Sequence, residues 1–376
     1  MNKIPLLSFE FTKLYKRKIT YVIPLILLVG LIVLYYFTYS NFSMYERQTP
    51  DSLSLEIESF EASIKELDNI AEAKALKEAL VEQKNLTEQT LVAFKNSNGE
   101  EFTKLQITKD KNLISLIESG NAYVPVSTSE IKKEIILKEE ILQREALPVD
   151  LGTEVEGIHF ASLIMKLFFN LFGTFIFTLL ICKLFTQEIE IGTFKFLTNQ
   201  PIQTKKLLYS KYFFSVAISI LLTLLVIVIA FLIGYVFNGS GNFNYPILIN
   251  SEEGIYQFIN ILEFITKSTF LYIFGIIFIC SLVYLISVLV KNSLISFIVT
   301  LIFVLVGTIL YQNIEPLIKF AHLNPFFYLN SPSIINMEIA DKLNNYNFSF
   351  IKGIVLFSVS SLIINITSLK IMKNNY

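Results

Sequence analysis

Residues 183–211 read Lys183-Leu-Phe-Thr-Gln-Glu188-Ile-Glu190-Ile-Gly192-Thr193-Phe194-Lys195-Phe196-Leu197-Thr-Asn-Gln-Pro201-Ile-Gln-Thr-Lys205-Lys206-Leu-Leu-Tyr-Ser210-Lys211. The stretch is a short polar loop between two long apolar segments. A loop that only joins two membrane helices needs polarity and a turn. This one carries acid, a glycine break, three large apolar residues, a proline and then a basic run. That pattern fits a small amphipathic element at a membrane surface, built to be gripped by something else.

The composition places the loop. Hydrophobic residues make up 53% of the 376 and charged residues 17%, with a mean hydropathy of +0.56. A soluble domain carries about a quarter charged residues. A helix rising about 1.5 Å per residue needs about 20 apolar residues to cross the hydrocarbon layer. Six segments qualify: Tyr21–Tyr39, Ser162–Cys182, Tyr212–Phe237, Thr269–Val290, Leu294–Tyr311 and Gly353–Ile371. The last contains Ser and Asn365. The expected fold is an all-α membrane protein with six transmembrane helices.

The first segment ends in Tyr35-Tyr-Phe-Thr-Tyr39 without a small-residue cleavage pattern, so it reads as a retained helix at 21–40. Cys182 and Cys280 both fall at or inside predicted spans, leaving the polar insert with no disulfide framework. A bacterial cell membrane is the setting this suggests. With both termini cytoplasmic, the inner segments hold thirteen basic residues, among them Lys183, Lys195, Lys205, Lys206 and Lys211, against the acids Glu10, Glu188 and Glu190. The outer loops reverse the balance, with Glu252, Glu253 and Glu263 against Lys267. Positive-inside bias therefore orients the chain.

The insert between the first two spans, Asn41 to Ala161, is then extracellular; it carries 13 basic and 23 acidic residues, a net of −10. Its periodicity is helical. Ile57, Phe60, Ile64 and Leu67 form an apolar stripe, with Asp51 or Ser52 as the expected cap. Asn96-Ser-Asn-Gly99 breaks the pattern. A shorter helix near Lys104–Glu118 and an amphipathic one over Ser129–Ala146 follow, ended by Leu147-Pro148. Such a domain serves either as a solvated cap or dimer contact, or as a receiver of substrate.

The chain shows little chemistry of its own. Its two histidines, His159 and His322, lie far apart at the outer membrane boundary and read as interfacial polar residues. No His-Glu-x-x-His, Gly-x-Ser-x-Gly or Gly-x-x-x-x-Gly-Lys-Ser/Thr pattern occurs. Lys166 can snorkel, and no Asp, Glu or His falls near a span's middle, where an ion-driven carrier would show one. A transporter of this composition takes its energy from elsewhere.

Two stretches complete the pattern. Residues 1–20 mix Ile4, Leu6, Leu7, Phe9, Phe11 and Leu14 with Lys3, Lys13, Lys16 and Arg17, as an interfacial helix does. Asn324-Pro325-Phe326-Phe327-Tyr328 precedes the last span. With the Glu188…Gly192-Thr193…Leu197-Thr…Pro201 pattern between spans two and three, and the Ser210-Lys211 helix entry, the chain resembles the permease subunits of ABC-2-type ATP-binding cassette exporters. The large insert is similar to that of the subgroup exporting sodium, antibiotics or peptides.

The resemblance implies a mechanism. The loop 183–211 would form a coupling helix that docks in a cleft of a separate ATPase subunit. Thr193 would cap it after the Gly192 break, and Phe194, Phe196 and Leu197 would anchor it. Glu188 and Glu190, at the wrong end of a helix dipole, would pair with basic residues on the partner or on the amino-terminal segment. That segment, with Phe9, Phe11, Lys13 and Arg17, would be the family's elbow helix. Residues 312–352 resemble its re-entrant outer helices, within a membrane region of 162–376. Two permeases, identical or homologous, and two ATPase subunits are the implied unit. ATP and Mg would be bound by the partner, leaving this chain without a cofactor or metal of its own and without nucleic acid. The cargo would be a hydrophobic or amphipathic peptide, antibiotic or lipid moved outward. The competing reading is a membrane sensor or immunity protein whose outer domain binds a toxic peptide without transport.

Overall fold

The computed structural model describes residues 10, 12, 15, 19–67, 74–119, 127–149, 153–192, 204–250 and 256–375. Among these residues six helices are long and apolar enough to cross a membrane, making this an all-α membrane protein. Of the amino-terminal segment, Glu10, Thr12 and Tyr15 are helical; Phe9, Phe11, Lys13 and Arg17 lie outside the described residues.

Helix α1, Ile19–Leu67, is 49 residues long. At about 1.5 Å per residue it extends about 74 Å, more than twice the hydrocarbon thickness. The expected boundary at residue 40 is therefore no structural break, and Asp51 and Ser52 are not caps. A cap needs free N–H groups ahead of it, whereas here the preceding turns are already helical. The hydroxyl of Thr49 donates to the Tyr45 carbonyl and that of Ser54 to the Pro50 carbonyl. The helix continues past Pro50 despite the missing N–H.

Among its described residues the insert has three further helices: α2 (Lys74–Lys95), α3 (Gly99–Glu118) and α4 (Thr128–Gln143). The expected break at 96–99 is present, with Asn98 capping α3 by accepting from the Glu101 N–H. Ser127 and Glu130 form a capping box on α4. Helix α2 runs antiparallel to the upper half of α1, as the Tyr45–Phe94 and Glu61–Lys84 contacts show. Ile107, Ile114, Ile131 and Ile135 form the small core between α3 and α4. Arg144, just past α4, donates to the Asn244 carbonyl and to Asn260, tying the insert to the bundle.

The second span differs from its expected form. Instead of one helix over Ser162–Cys182 there are two, α5 (Gly157–Phe168) and α6 (Leu171–Glu190). Asn170 makes the break. Its amide donates to the Lys166 carbonyl at 3.1 Å and accepts from the Phe172 N–H at 2.8 Å, meeting backbone groups that the broken ladder frees. A Cβ on Gly173 would lie 1.7 Å from the Phe168 carbonyl oxygen, so only glycine fits that bend. Gly157 also begins before the expected boundary at 161, and it packs directly on Gly234 of α7 (Thr204–Asn238).

After α7 comes a two-stranded antiparallel hairpin that the sequence reading did not include, β1 (Pro246–Ile249) with β2 (Gln257–Asn260). Helix α8 (Ile261–Val290) is the centre of the bundle: 67% of its most apolar stretch is buried, against 17% for α13 (Phe350–Asn375). Between them, α9 (Ser293–Asn313) leads into a run of short pieces. These are α10 (Glu315–Ile318), two 3-10 turns over Ala321–Leu323 and Pro325–Leu329, α11 (Ser331–Ile335) and α12 (Glu338–Lys342). The run folds back into the bundle. Asn324 donates to the Gly307 carbonyl at 2.7 Å, and the Phe326 ring lies 5.5 Å from that of Phe278. Gly307 and Phe278 each lie about 20 Å along their helices from the end that carries the 183–211 loop, at 1.5 Å per residue.

Gly307 admits this insertion, because a Cβ there would sit 2.3 Å from the Phe326 ring. Gly307→Ala is expected to cost about 1–3 kcal/mol by overpacking, read as a lower melting temperature in detergent. Gly30→Ala, where a Cβ meets nothing within 4 Å, serves as the control and should not destabilise.

Candidate functional site

The loop end of the bundle gathers the charges that the sequence reading singled out. Helix α6 ends at Glu190, and Gly192 follows with φ +78°, a left-handed conformation that favours glycine. The expected glycine break is thus in place. Thr193, Phe194, Phe196, Leu197 and Pro201 lie outside the described residues.

Glu188 is buried, and so is the partner it finds, Lys211 in the second turn of α7. Their side chains are 5% and 3% exposed, and the carboxylate and ammonium are in direct contact. Neither charge belongs at the carboxyl end of α6 or among the apolar neighbours of α7 by itself. Each is tolerated because the other neutralises it where water does not reach. Lys211, which the sequence reading placed at the entry of the third span, is thus one partner of Glu188.

Glu190 meets a different need. Its Oε1 accepts from the Ser293 N–H at 2.6 Å, the first amide of α9. Asn292 accepts from the Ile295 N–H at 3.0 Å, so two side chains satisfy donors that a helix start leaves free. The Ser293 amide, with the positive end of the α9 dipole behind it, holds the Glu190 carboxyl below its ordinary pKa. Unfavourable to its own helix, Glu190 is favourable to the next.

Toward the centre of the bundle a second polar group follows. The Tyr212 and Ser281 hydroxyls are 2.9 Å apart, and Asn365 donates to both, at 3.2 and 3.1 Å. The trio joins α7, α8 and α13. The ring of Tyr284 on α8 sits 5.3 Å from Phe185 on α6 and 5.6 Å from Tyr212. Sequence reading missed this group. Asn365 inside an apolar span was its visible signal; Tyr212 and Ser281 have none, since both residue types are common in spans.

Elsewhere the polar residues serve structure. His159 is buried edge-on against Tyr245, with ring centroids 4.7 Å apart, so it packs inside the protein rather than lying at the interface. Among the described residues no group of three or more His, Cys, Asp or Glu is placed to hold a metal ion.

Residues 4–364 match the model of a family described as ABC-2 family transporter protein. No curated protein matches the chain, and no solved structure does.

Removing one member breaks a buried ion pair. Glu188→Ala is expected to cost about 3–5 kcal/mol, seen as low yield and early melting in detergent. The double variant Glu188→Gln/Lys211→Met, which removes both charges at similar volume, should recover most of that loss.

Proposed function

The chain belongs to the ABC-2 transporter family as a multi-pass permease subunit of an ABC transporter, and from that premise we propose that it exports a hydrophobic or amphipathic substrate using ATP hydrolysed by a separate subunit. The observation that carries this reading is the Glu188–Lys211 pair. It closes the base of the polar loop at 193–203, so a partner that grips the loop pulls on two spans at once. Phe194, Phe196 and Leu197 are the residues we assign to the partner's cleft. Three large apolar side chains in a polar stretch fit the pocket of a partner. Glu188 and Glu190, assigned by sequence to that same contact, act instead behind it, by holding the loop's base.

In this reading the loop end is cytoplasmic, as its excess of basic residues favours. The insert then stands on the extracellular face of a cell membrane, because α1 carries the chain across once before the insert begins. Two copies of a permease, paired with two ATPase subunits that bind ATP and Mg, form the working unit. The amino-terminal segment with Phe9, Phe11, Lys13 and Arg17 lies along the inner surface. The aromatic composition, 34 Phe and 18 Tyr, suits a peptide, antibiotic or lipid as cargo.

Purification of the tagged chain from native membranes in mild detergent tests the partnership. A P-loop ATPase should accompany it in near-stoichiometric amount and be lost on Phe196→Asp while the chain still inserts. A chain that comes through alone, without nucleotide hydrolysis, speaks for a sensing or immunity protein instead. Orientation has its own test. A membrane-impermeant maleimide should label Glu58→Cys in intact cells and Lys206→Cys only after permeabilisation, since both positions are exposed and both native cysteines are buried.

A further inference from the structure

The last turn of α6 holds a helix on each side. Glu188 and Glu190 are two residues apart, hence about 200° around the helix at 3.6 residues per turn. Glu188 grips α7 through Lys211, and Glu190 grips the start of α9 through the Ser293 N–H. From Lys211 the next residue along α7 is Tyr212, whose hydroxyl meets Ser281 on α8 and Asn365 on α13. Five helices are thus joined by polar contacts near one end of the bundle.

Stability alone does not account for the buried pair. Desolvating two charges offsets most of their attraction, and apolar residues of equal volume often serve as well. What an ion pair adds is a fixed position that apolar contacts, free to slide, do not enforce. The inner ends of α6 and α7 are kept from separating, and Glu190 keeps α9 in step with them.

We propose that Glu188, Lys211 and Glu190 are positioning residues for coupling: together they turn the end of α6 into a clamp that makes α6, α7 and α9 move as one body when the ATPase subunit acts. Tyr212 passes that movement on to α8 and α13. The inference rests on the permease reading above, and it adds where force enters the bundle.

Spin labels at Val236→Cys on α7 and Ile351→Cys on α13, both exposed at the end of the bundle away from the clamp, report the response. The complex with its ATPase is placed in lipid nanodiscs, and distance distributions are compared without nucleotide and after trapping with ATP and vanadate. The unsubstituted clamp should give a nucleotide-dependent shift. Glu188→Gln/Lys211→Met should keep its ATPase and hydrolyse ATP but lose most of that shift. The exchanged pair, Glu188→Lys/Lys211→Glu, should regain it. A merely structural pair would lower yield and melting temperature while leaving the shift per assembled complex intact, and that result overturns the proposal. So does an unsubstituted complex that hydrolyses ATP with no shift at all. If no ATPase accompanies even the unsubstituted chain, the permease reading itself fails, which is a separate outcome.

Discussion

Hydrocarbon offers no hydrogen bonds, so the backbone polar groups within the spans have to be satisfied by the protein itself. That constraint orders the interior of this molecule. Thr174, Thr178 and Thr186 on α6, Thr223 on α7 and Thr300 on α9 each return a hydroxyl to the carbonyl one turn back. Where a side chain is too polar for that, it is placed opposite another: Asn365 against Tyr212 and Ser281, Glu188 against Lys211. Where the helix itself breaks, at Phe169–Asn170, the Asn170 amide and the Ser331 N–H take up backbone partners. Polar contacts of this kind are directional, so they set register between helices as apolar packing alone does not.

Close approach is the second device. Without a hydrophobic drive between helices in lipid, contact area comes from backbones that pack tightly through small residues. Gly157 against Gly234 brings α5 onto α7, and Gly353 admits the ring of Tyr328. Gly275 and Gly307 likewise make room for Leu329 and Phe326. All three of these inserted side chains come from the Pro325–Leu329 turn, which follows Asn324. One short irregular segment is thereby seated against α8, α9 and α13. Irregular backbone at that depth is tolerable because protein rather than lipid surrounds it, as the complete burial of Tyr328 illustrates.

Legibility in the sequence follows from how local each signal is. The six spans were readable because hydropathy over about 20 residues depends on no neighbour. The breaks at 96–99 and at Gly192 are equally local in origin. Continuity of α1 was not readable at residue 40, since a change from apolar to polar composition looks like a boundary even when the backbone ignores it. The break at Asn170 was hidden by an apolar run on both sides. The β1–β2 hairpin is four residues per strand, too short for an alternation pattern to stand out. At the candidate site, Glu188 and Glu190 drew notice because acid opposes the dipole of α6. Their pairing with Lys211 and Ser293 did not, since only tertiary structure brings those residues there. The residues assigned to the ATPase contact rest on residue type and order alone.

The unbroken α1 has a mechanical consequence. A helix of 49 residues leaves no hinge between the first span and the insert, so a tilt of the span swings the insert by an amount that grows with distance along the axis. Helix α2 lies along the upper half of α1 and stiffens it. The Arg144 contacts to Asn244 and Asn260 supply a second attachment, on the segment that joins α7 to α8. The insert is therefore fastened to two different parts of the bundle, at α1 and beside the β1–β2 hairpin. Relative motion between those parts must either strain Arg144, whose guanidinium also bonds Glu140, or reshape the insert.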